Sequence, residues 1–326
     1  MHWGSKKDKV MQIAAVSYLN TAPLIEGLEA WDGCEMVRAV PAQIAGMVVD
    51  GVADLGLVSV VDFARYGVED GKKTGEDREP SPRPSPIRMG EGGRGDNFGG
   101  LVMVPSGMIG CDGATLTVRL FSSVPIDEIT TVYADTDSHT SVVLCDLVLR
   151  EAYGVDAKFV DFDVRERVAC GDGNGIDPDA DGWPEAVLMI GDKVVTGSPA
   201  AVRYPYQVDL GLAWFEMTGL PFVYATWMCR ADRAGDGDIA AGAVVLERMM
   251  LRNRMRIDWI VMTHAKELGW PTDLAQRYIG ELLRFEVDDR AREAVGVFLK
   301  KAGAAGLVPR VDPVWMEIGR ETGAGA

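Results

Sequence analysis

The sequence predicts an α/β protein of two lobes with a ligand cleft between them. Strand patterns alternate with amphipathic helix patterns, which is typical of sheets whose faces are covered by helices. The 326 residues are 47% hydrophobic, which is enough for a large core. A late strand pattern leads the chain back to its first part, so the chain crosses between the lobes twice and forms a hinged cleft.

The first lobe begins with a strand, a polar turn and a helix. Residues 10–19 are mostly apolar and compatible with a strand. The segment from Asn20 to Pro23 then offers cap residues and an early proline before a helical run over 24–30. Because ligands bind beyond the carboxyl ends of parallel strands, Asn20 and Ser59 occupy candidate binding positions. The pattern repeats as helix, strand and helix over residues 41–49, 54–59 and 60–66.

The second lobe is predicted to begin beyond a glycine-rich turn over residues 109–113. Its clearest helix covers 141–153 and ends at Gly154. The remaining predicted strands are 101–104, 115–121, 129–134, 157–161, 186–190 and 221–228, and the chain from residue 238 is chiefly helical. We therefore expect lobe 1 to consist of residues 10–112 and 226–326, and lobe 2 of residues 113–225.

Residues 71–100 interrupt this pattern. The segment is dense in Gly, Pro, Arg and Glu and almost free of large apolar side chains, so it cannot offset the entropy of ordering. A proline-rich docking ligand is one interpretation. We favour a disordered surface insertion in lobe 1.

Composition argues against nucleic acids and membranes as partners. The formal net charge is −16 and the calculated isoelectric point about 4.7, so the surface repels phosphate backbones and anionic lipids. No stretch approaches the roughly 18 consecutive apolar residues that span a bilayer. The first lysines resemble the start of an export signal, but Gln12 interrupts the apolar run. We therefore predict a strand there, and a cytoplasmic protein.

Metal binding and the common catalytic motifs find little support in the sequence. The five cysteines are scattered, with no C-x-x-C pair and no histidine at zinc spacing. The acidic segment 172–182 partly resembles a calcium loop, but Leu188 stands where a bidentate glutamate is needed, so a solvated loop is simpler. No Ser-His-Asp set, zinc-protease helix, P-loop or dinucleotide fingerprint is present.

Two polar segments lie where a small polar ligand can bind. Residues 136–141 precede a helix, so N–H groups and hydroxyls converge at the positive end of its dipole and suit a carboxylate. The alternative is plain N-capping by Ser138 or Thr140, with His139 on the surface. Asn20 either caps the following helix or grips a substrate through its amide. Local sequence leaves both alternatives open.

Short motifs along nearly the whole chain match the sequence blocks of one known family. The segment VSYLNTAPL at residues 16–24 is similar to that family's opening SYLNxxPL block. The other matching blocks are residues 54–58, 109–113, 135–136, 140–142, 188–192, 209–211 with Trp214, 218–223 and Trp227. Their combination is far more specific than any one block, and it resembles that of the chorismate dehydratases.

This resemblance implies a fold, a reaction and a set of site residues. The family has the two-lobed fold of type 2 periplasmic binding proteins. Its members convert chorismate to 3-[(1-carboxyvinyl)oxy]benzoate and water, the first step of menaquinone synthesis through futalosine, with no metal or organic cofactor. Asn20 and Thr117 match active-site positions, and a substrate carboxylate is expected to take the proton. The expected substrate-binding residues are Ser17, Ser59, Ser138, His139, Thr140, Ser141 and Asp192.

Two positions depart from the family pattern, and two other functions stay open. His139 stands where arginine is common, which removes a permanent charge, and Thr117 replaces a serine, which stiffens χ1. One alternative is the 1,4-dihydroxy-6-naphthoate synthase of the same pathway and fold. The other is a non-catalytic small-anion-binding protein. Asn20 and residues 218–223 favour the dehydratase, and the predicted cytoplasmic location opposes an exported binding protein.

Overall fold

Two mixed β-sheets flanked by helices make up the structure. The computed structural model describes residues 10–66, 99–135, 137–162 and 183–317. Except for its last two glycines, the predicted insertion over 71–100 lies outside these ranges, as does the acidic segment 172–182. The described strands are β1 Met11–Ala15, β2 Cys34–Arg38, β3 Leu55–Ser59, β4 Leu101–Cys111, β5 Val118–Ser122, β6 Thr131–Asp135, β7 Lys158–Phe162, β8 Ala186–Ile190, β9 Tyr206–Asp209, β10 Phe222–Arg230 and β11 Leu283–Arg284.

Helices connect the strands and pack on them. The predicted helices over 41–49 and 60–66 have the expected bounds, whereas the helix expected from residue 141 begins two residues earlier, after Ser138. The described α-helices are α1 Ala22–Ile25, α2 Pro41–Val49, α3 Val60–Tyr66, α4 His139–Tyr153, α5 Lys193–Thr196, α6 Leu210–Thr218, α7 Gly237–Arg254, α8 Ile257–His264, α9 Thr272–Arg277 and α10 Asp289–Ala304. Short 3-10 helices lie at Leu19–Thr21, Leu28–Ala30, Ile126–Glu128 and Ala231–Arg233, and a π-helix at Tyr278–Leu282.

The first sheet has the strand order β11-β4-β10-β3-β1-β2. Strand β1 pairs in parallel with β2 and β3, as the alternating strand and helix pattern predicted. Strand β10 is antiparallel to both β3 and β4, and β11 is antiparallel to β4. The sheet is therefore mixed, because the strand that brings the chain back to this lobe enters in the opposite direction.

Strand β4 is longer than the sequence indicated. We expected a strand over 101–104 and a turn over 109–113, but β4 continues through Cys111 and only Asp112 and Gly113 are left to turn. At Gly110, a Cβ atom would lie 2.7 Å from the carbonyl oxygen of Phe222 on the neighbouring strand. This glycine therefore permits close strand pairing and does not form a turn.

The second sheet has the strand order β7-β6-β8-β5-β9. Strand β6 is parallel to β7 and β8, while β5 is antiparallel to β8 and β9. Strand β8 is buried along its whole length, as its continuous run of apolar residues predicted. The loops that follow β6 and β8 consequently meet at the same edge of this sheet.

The chain passes between the two sheets at two places. The first passage lies between Cys111 and Val118, and the second between Thr218 and Phe222. We expected lobe 2 to extend to residue 225, but Phe222 already pairs with Cys111 in the first sheet. The division into two lobes stays our proposal, with its second boundary moved to just before Phe222.

Four aromatic side chains pack together where the chain returns to the first sheet. The ring of Phe222 lies 5.3 Å from Trp214, 4.7 Å from Tyr224 and 5.0 Å from Phe298, all in edge-to-face contact. Such pairs add to the stability gained from burial alone. Trp214 belongs to the helix before the passage and Phe222 to the strand after it, so the cluster fixes this junction.

Over the residues that the structure describes, no helix combines the length and the apolar character needed to cross a membrane.

Candidate active site

A cleft lies between the two sheets and is lined by residues from both. It encloses about 610 Å³, including space open to solvent, a size suited to a small molecule. One wall presents the polar side chains of Tyr18, Asn20, Ser59 and Tyr278. The opposite wall presents those of Thr115, Thr117, Ser138 and Ser141. Tyr224 also lines the cleft, and the rest of the described lining is apolar, so hydroxyl, amide and backbone groups supply its hydrogen bonds.

Asn20 lies in the first turn of chain after β1. The side chain is half-buried and lines the cleft, and its Oδ1 accepts a hydrogen bond of 3.1 Å from the Thr21 hydroxyl. The residue at the N-cap of α1 is Thr21, and no side chain caps that helix. The capping alternative for Asn20 is therefore not observed.

Thr117 follows a tight turn that leads into β5. Leu116 has a φ of +69°, in the left-handed region that side chains rarely adopt, and the N–H of Thr117 donates 2.8 Å to the carbonyl of Thr115. This is the rarer of the two γ-turn forms. Backbone strain of this kind persists only where the surroundings impose it.

The carboxylate of Asp209 imposes this turn. It accepts the N–H of Thr115 at 3.0 Å and the N–H of Leu116 at 2.7 Å. It also caps α6 by accepting the N–H of Leu212 at 3.1 Å. A Cβ atom at Gly211 would lie 2.8 Å from the carbonyl of Gly113, so glycine allows α6 to approach the turn. The sequence block around Asp209 therefore shapes the wall that holds Thr117.

The N-terminus of α4 points at the cleft. The hydroxyl of Ser138 accepts the N–H of Ser141 at 3.3 Å and lies 3.0 Å from its hydroxyl. Both serines line the cleft. The N-capping expected from the sequence is thus present, and it places the positive end of the helix dipole beside the cleft. Capping and anion binding are compatible here.

Other predicted binding residues are directed away from the cleft. Thr140 is fully buried, and its hydroxyl contacts Ser59 at 2.8 Å and accepts the N–H of Val61 at 3.1 Å. The His139 ring bonds Asp62 at 2.7 Å. Ser17 is exposed and faces a separate groove. We therefore leave Ser17, His139 and Thr140 out of the proposed binding set.

Asp192 lies behind the cleft lining and connects the loop after β8 to the turn after β1. Its Oδ2 accepts the backbone N–H of Leu19 at 3.3 Å, while the adjacent Gly191 lines the cleft. Burial raises the pKa of Asp192 to about 6, against the opposing effects of the Leu19 N–H, the Trp270 indole and Lys193. The carboxylate thus supports the Leu19–Thr21 turn and does not itself line the cleft.

A buried ion cluster stands beside this contact. Lys193 Nζ lies 2.5 Å from Asp135 and 2.7 Å from Asp137, and its side chain is only 11% exposed. The hydroxyl of Tyr18 donates to Asp137 at 2.9 Å. Burial raises the pKa of Asp135, and the lysine opposes that rise. This cluster ties the cleft-lining Tyr18 to the second sheet.

Two sequence observations about metals can be placed on the structure. Cys34, Cys111, Cys145 and Cys229 are all free thiols. Within the described ranges, no three or more His, Cys, Asp or Glu side chains are grouped to hold a metal ion. The partial calcium motif lies in 172–182, outside those ranges.

Comparison with known families identifies the chain. The sequence model of a family described as menaquinone biosynthesis matches residues 11–68 and 96–304, which is most of the chain. The chain belongs to this family. A chorismate dehydratase of Thermus thermophilus is 24% identical over 301 residues, covering 88% of this chain and 93% of the relative. The resemblance predicted from the sequence motifs is therefore confirmed.

Solved structures confirm the predicted fold. The periplasmic aliphatic sulphonate-binding protein of Escherichia coli matches with a TM-score of 0.56 at 13% identity, over 94% of this chain and 93% of that one. A Candida albicans protein with the generic periplasmic binding protein fold matches with a TM-score of 0.55 at 11% identity, over 93% and 92%. At these identities the likeness shows the fold alone. This menaquinone biosynthesis family member therefore has a periplasmic-binding-protein-like α/β fold.

Two residues in and beside the cleft of this menaquinone biosynthesis family member escaped the sequence analysis. Tyr278 lies in the helical C-terminal part, 161 positions from its hydrogen-bond partner Thr117. Lys193 is one of many charged residues, and only the fold shows that it is buried between two aspartates. Neither carries a local motif. The related signal in the sequence was the motif block around Asp209. The structure shows that Asp209 holds the turn that places Thr117, the partner of Tyr278.

The raised pKa of Asp192 predicts a pH-dependent effect of Asp192→Asn on stability. The pKa of Asp192 is about 6 in the folded protein, and its ordinary value is 3.8. The contribution of Asp192 to the free energy of unfolding is therefore fully present below pH 3.8 and is lost as the pH rises through 6. Asparagine keeps an acceptor for Leu19 and never ionises. We expect the variant to gain up to about 3 kcal/mol over wild type between pH 4 and pH 7.5. Denaturant unfolding of both proteins at each pH measures this, and a constant difference would contradict it.

Proposed function

We propose that this protein is a chorismate dehydratase, which converts chorismate to 3-[(1-carboxyvinyl)oxy]benzoate and water in menaquinone biosynthesis. The family match and the dehydratase of Thermus thermophilus support this proposal. The observation that carries it is that Asn20 and Thr117, from different sheets, line one cleft, where the Thr117 hydroxyl lies 2.6 Å from that of Tyr278. These are the two residues that the family motifs singled out as catalytic. The substrate is accordingly a small molecule.

The reaction needs positioning more than strong acid or base chemistry. A C–H bond breaks at the ring carbon that bears the ether, and the C–O bond of the neighbouring ring hydroxyl breaks. A double bond forms between these two carbons, which makes the ring aromatic and drives the reaction. A base takes the proton and passes it to the departing hydroxide, which leaves as water, so atoms and charge balance. A cleft that holds the substrate in one orientation supplies most of what this elimination requires.

Different cleft residues bind different groups of the substrate. Asn20 binds the leaving hydroxyl or the enolpyruvyl group, and Thr117 donates a hydrogen bond to a carboxylate or hydroxyl. A substrate carboxylate lies at the N-terminus of α4, where Ser138 and Ser141 face the cleft. Ser59 contacts the substrate from the wall of the first sheet. The helix dipole and the hydroxyls thus supply the contacts to the carboxylate.

The proton goes to a carboxylate of the substrate. The described lining holds no carboxylate or histidine. Asp192 lies behind the lining and is engaged with Leu19. The remaining base is a carboxylate of the bound chorismate, which loses its solvating water in the closed cleft. We place the reaction in the cytoplasm and assign it no metal and no organic cofactor.

Incubating the purified protein with chorismate tests this function. The expected result is an enzyme-dependent product that is lighter than chorismate by one water and co-elutes with authentic 3-[(1-carboxyvinyl)oxy]benzoate. A reaction without protein controls for the spontaneous decay of chorismate. A folded protein that binds chorismate without turnover would support a small-anion-binding protein instead. Turnover of a later pathway intermediate to 1,4-dihydroxy-6-naphthoate, with none of chorismate, would support the naphthoate synthase.

A further inference from the structure

Tyr278 lies beside both proposed catalytic residues. Its hydroxyl lies 2.6 Å from the hydroxyl of Thr117. The side chain of Asn20 is near enough to oppose the rise in the pKa of this phenol. Tyr278 lines the cleft, and its side chain is only 1% exposed. Its hydrogen bonds therefore form in a site with little competition from water.

Either hydroxyl can donate in the contact between Tyr278 and Thr117. The hydroxyl of Thr21 donates to Oδ1 of Asn20 and so sets the orientation of the Asn20 amide beside the phenol. When the phenol donates, its proton is directed to Thr117. The hydroxyl proton of Thr117 is then free to point into the cleft.

The position of Tyr278 is fixed from several sides. It begins the π-helix Tyr278–Leu282, a form that is uncommon and frequent at functional sites. Its ring stacks on Trp270 with centroids 4.9 Å apart and planes 11° apart. Burial and the nearby Asp192 hold the pKa of Tyr278 above its ordinary value, so the phenol stays protonated at neutral pH.

We propose that Tyr278 is a positioning residue that lies between Asn20 and Thr117, donates to the Thr117 hydroxyl and holds that hydroxyl as a donor towards the substrate. This inference rests on the proposed function. Tyr278 acts through Thr117 and makes no bond to the reacting atoms. Its contribution therefore appears in turnover and disappears when Thr117 has no hydroxyl to orient.

A double-mutant cycle between Tyr278→Phe and Thr117→Val tests this role. Tyr278→Phe keeps the ring on Trp270 and removes one oxygen. We expect kcat for chorismate to fall about 10- to 30-fold, with KM changed less than about threefold. In the Thr117→Val background, the same substitution should change kcat by less than about threefold, because residues in one network are not additive. Equal effects in both backgrounds would overturn the proposal.

A second variant and a control keep the test independent of folding. Thr21 is buried and lies outside the cleft lining. Thr21→Val removes the donor that orients the Asn20 amide and should lower kcat about 3- to 10-fold. Tyr204→Phe removes another buried tyrosine hydroxyl, which donates to Pro184 at 2.9 Å away from the cleft, and should leave kcat unchanged. Wild-type levels of kcat in both Tyr278→Phe and Thr21→Val would refute the positioning role. Failure of wild type to convert chorismate would instead refute the proposed function.

Discussion

Replacing Asn20 with alanine is expected to lower kcat/KM for chorismate by about 10² to 10³. Loss of one preorganised hydrogen-bonding group in a water-excluded site costs about this factor. Asn20 has two functions in the proposed mechanism. Its side chain binds the substrate from the cleft wall, and it lies beside the phenol of Tyr278. Asn20→Ala removes both, so turnover should fall further than in any other single variant considered.

The measurement is steady-state turnover of chorismate followed by product chromatography, together with thermal unfolding of each variant. Asn20 is half-buried and outside the core, so Asn20→Ala should unfold close to wild type. Asn253→Ala is the matched control. Its amide nitrogen donates to the carbonyl of Glu26 at 2.9 Å, away from the cleft. Its loss should lower the stability by about 1 kcal/mol and leave turnover unchanged. An Asn20→Ala protein with full turnover would remove Asn20 from the mechanism.

The fold was largely predictable because each element carries its own physical signal. The bounds of α2 and α3 follow from a proline at the first position and from apolar periodicity. The run of buried apolar residues in β8 predicted a covered central strand. The direction of β10 was not predictable, because antiparallel insertion between β3 and β4 depends on where the chain returns from the second sheet.

The candidate site was predictable only where chemistry is local or a motif exists. Asn20 and Thr117 came from resemblance, and the structure brings both to the cleft. Ser138 and Ser141 came from the logic of helix N-termini, which depends on a few consecutive residues. Tyr278 could not be foreseen, because its position depends on a long-range contact between the helical C-terminal part and the second sheet.

The direction of a side chain was the weakest part of the sequence prediction. His139 and Thr140 lie in the loop and helix start that we assigned to the substrate, yet they bond to Asp62 in α3 and to Ser59 at the end of β3. In the first turn of a helix, successive side chains point about 100° apart, so neighbours of a binding residue need not bind. The replacement of the family arginine by His139 therefore lies at a contact between α3 and α4, and His139 does not line the cleft.

Thr117→Val is expected to lower kcat for chorismate by about 10², with a smaller change in KM. Valine keeps the shape and the χ1 preference of threonine, so the γ-turn held by Asp209 should remain. What is lost is the hydroxyl. The buried phenol of Tyr278 also loses a partner, so we expect a stability loss of about 1 to 3 kcal/mol. Kinetics must therefore be measured well below the unfolding transition of the variant.

Thr117→Ser separates the hydroxyl from the methyl group. Serine is the residue at the corresponding family position, and it retains the donor that Tyr278 orients. We expect its kcat to stay within about threefold of wild type, because only the restriction on χ1 is lost. Turnover that is kept in Thr117→Val but lost in Thr117→Ser would mean that the methyl group, packed in the wall, is what the reaction needs. Turnover that is kept in Thr117→Ser but lost in Thr117→Val would assign the effect to the hydroxyl. The strained Thr115–Thr117 turn held by Asp209 would then serve to place that hydroxyl.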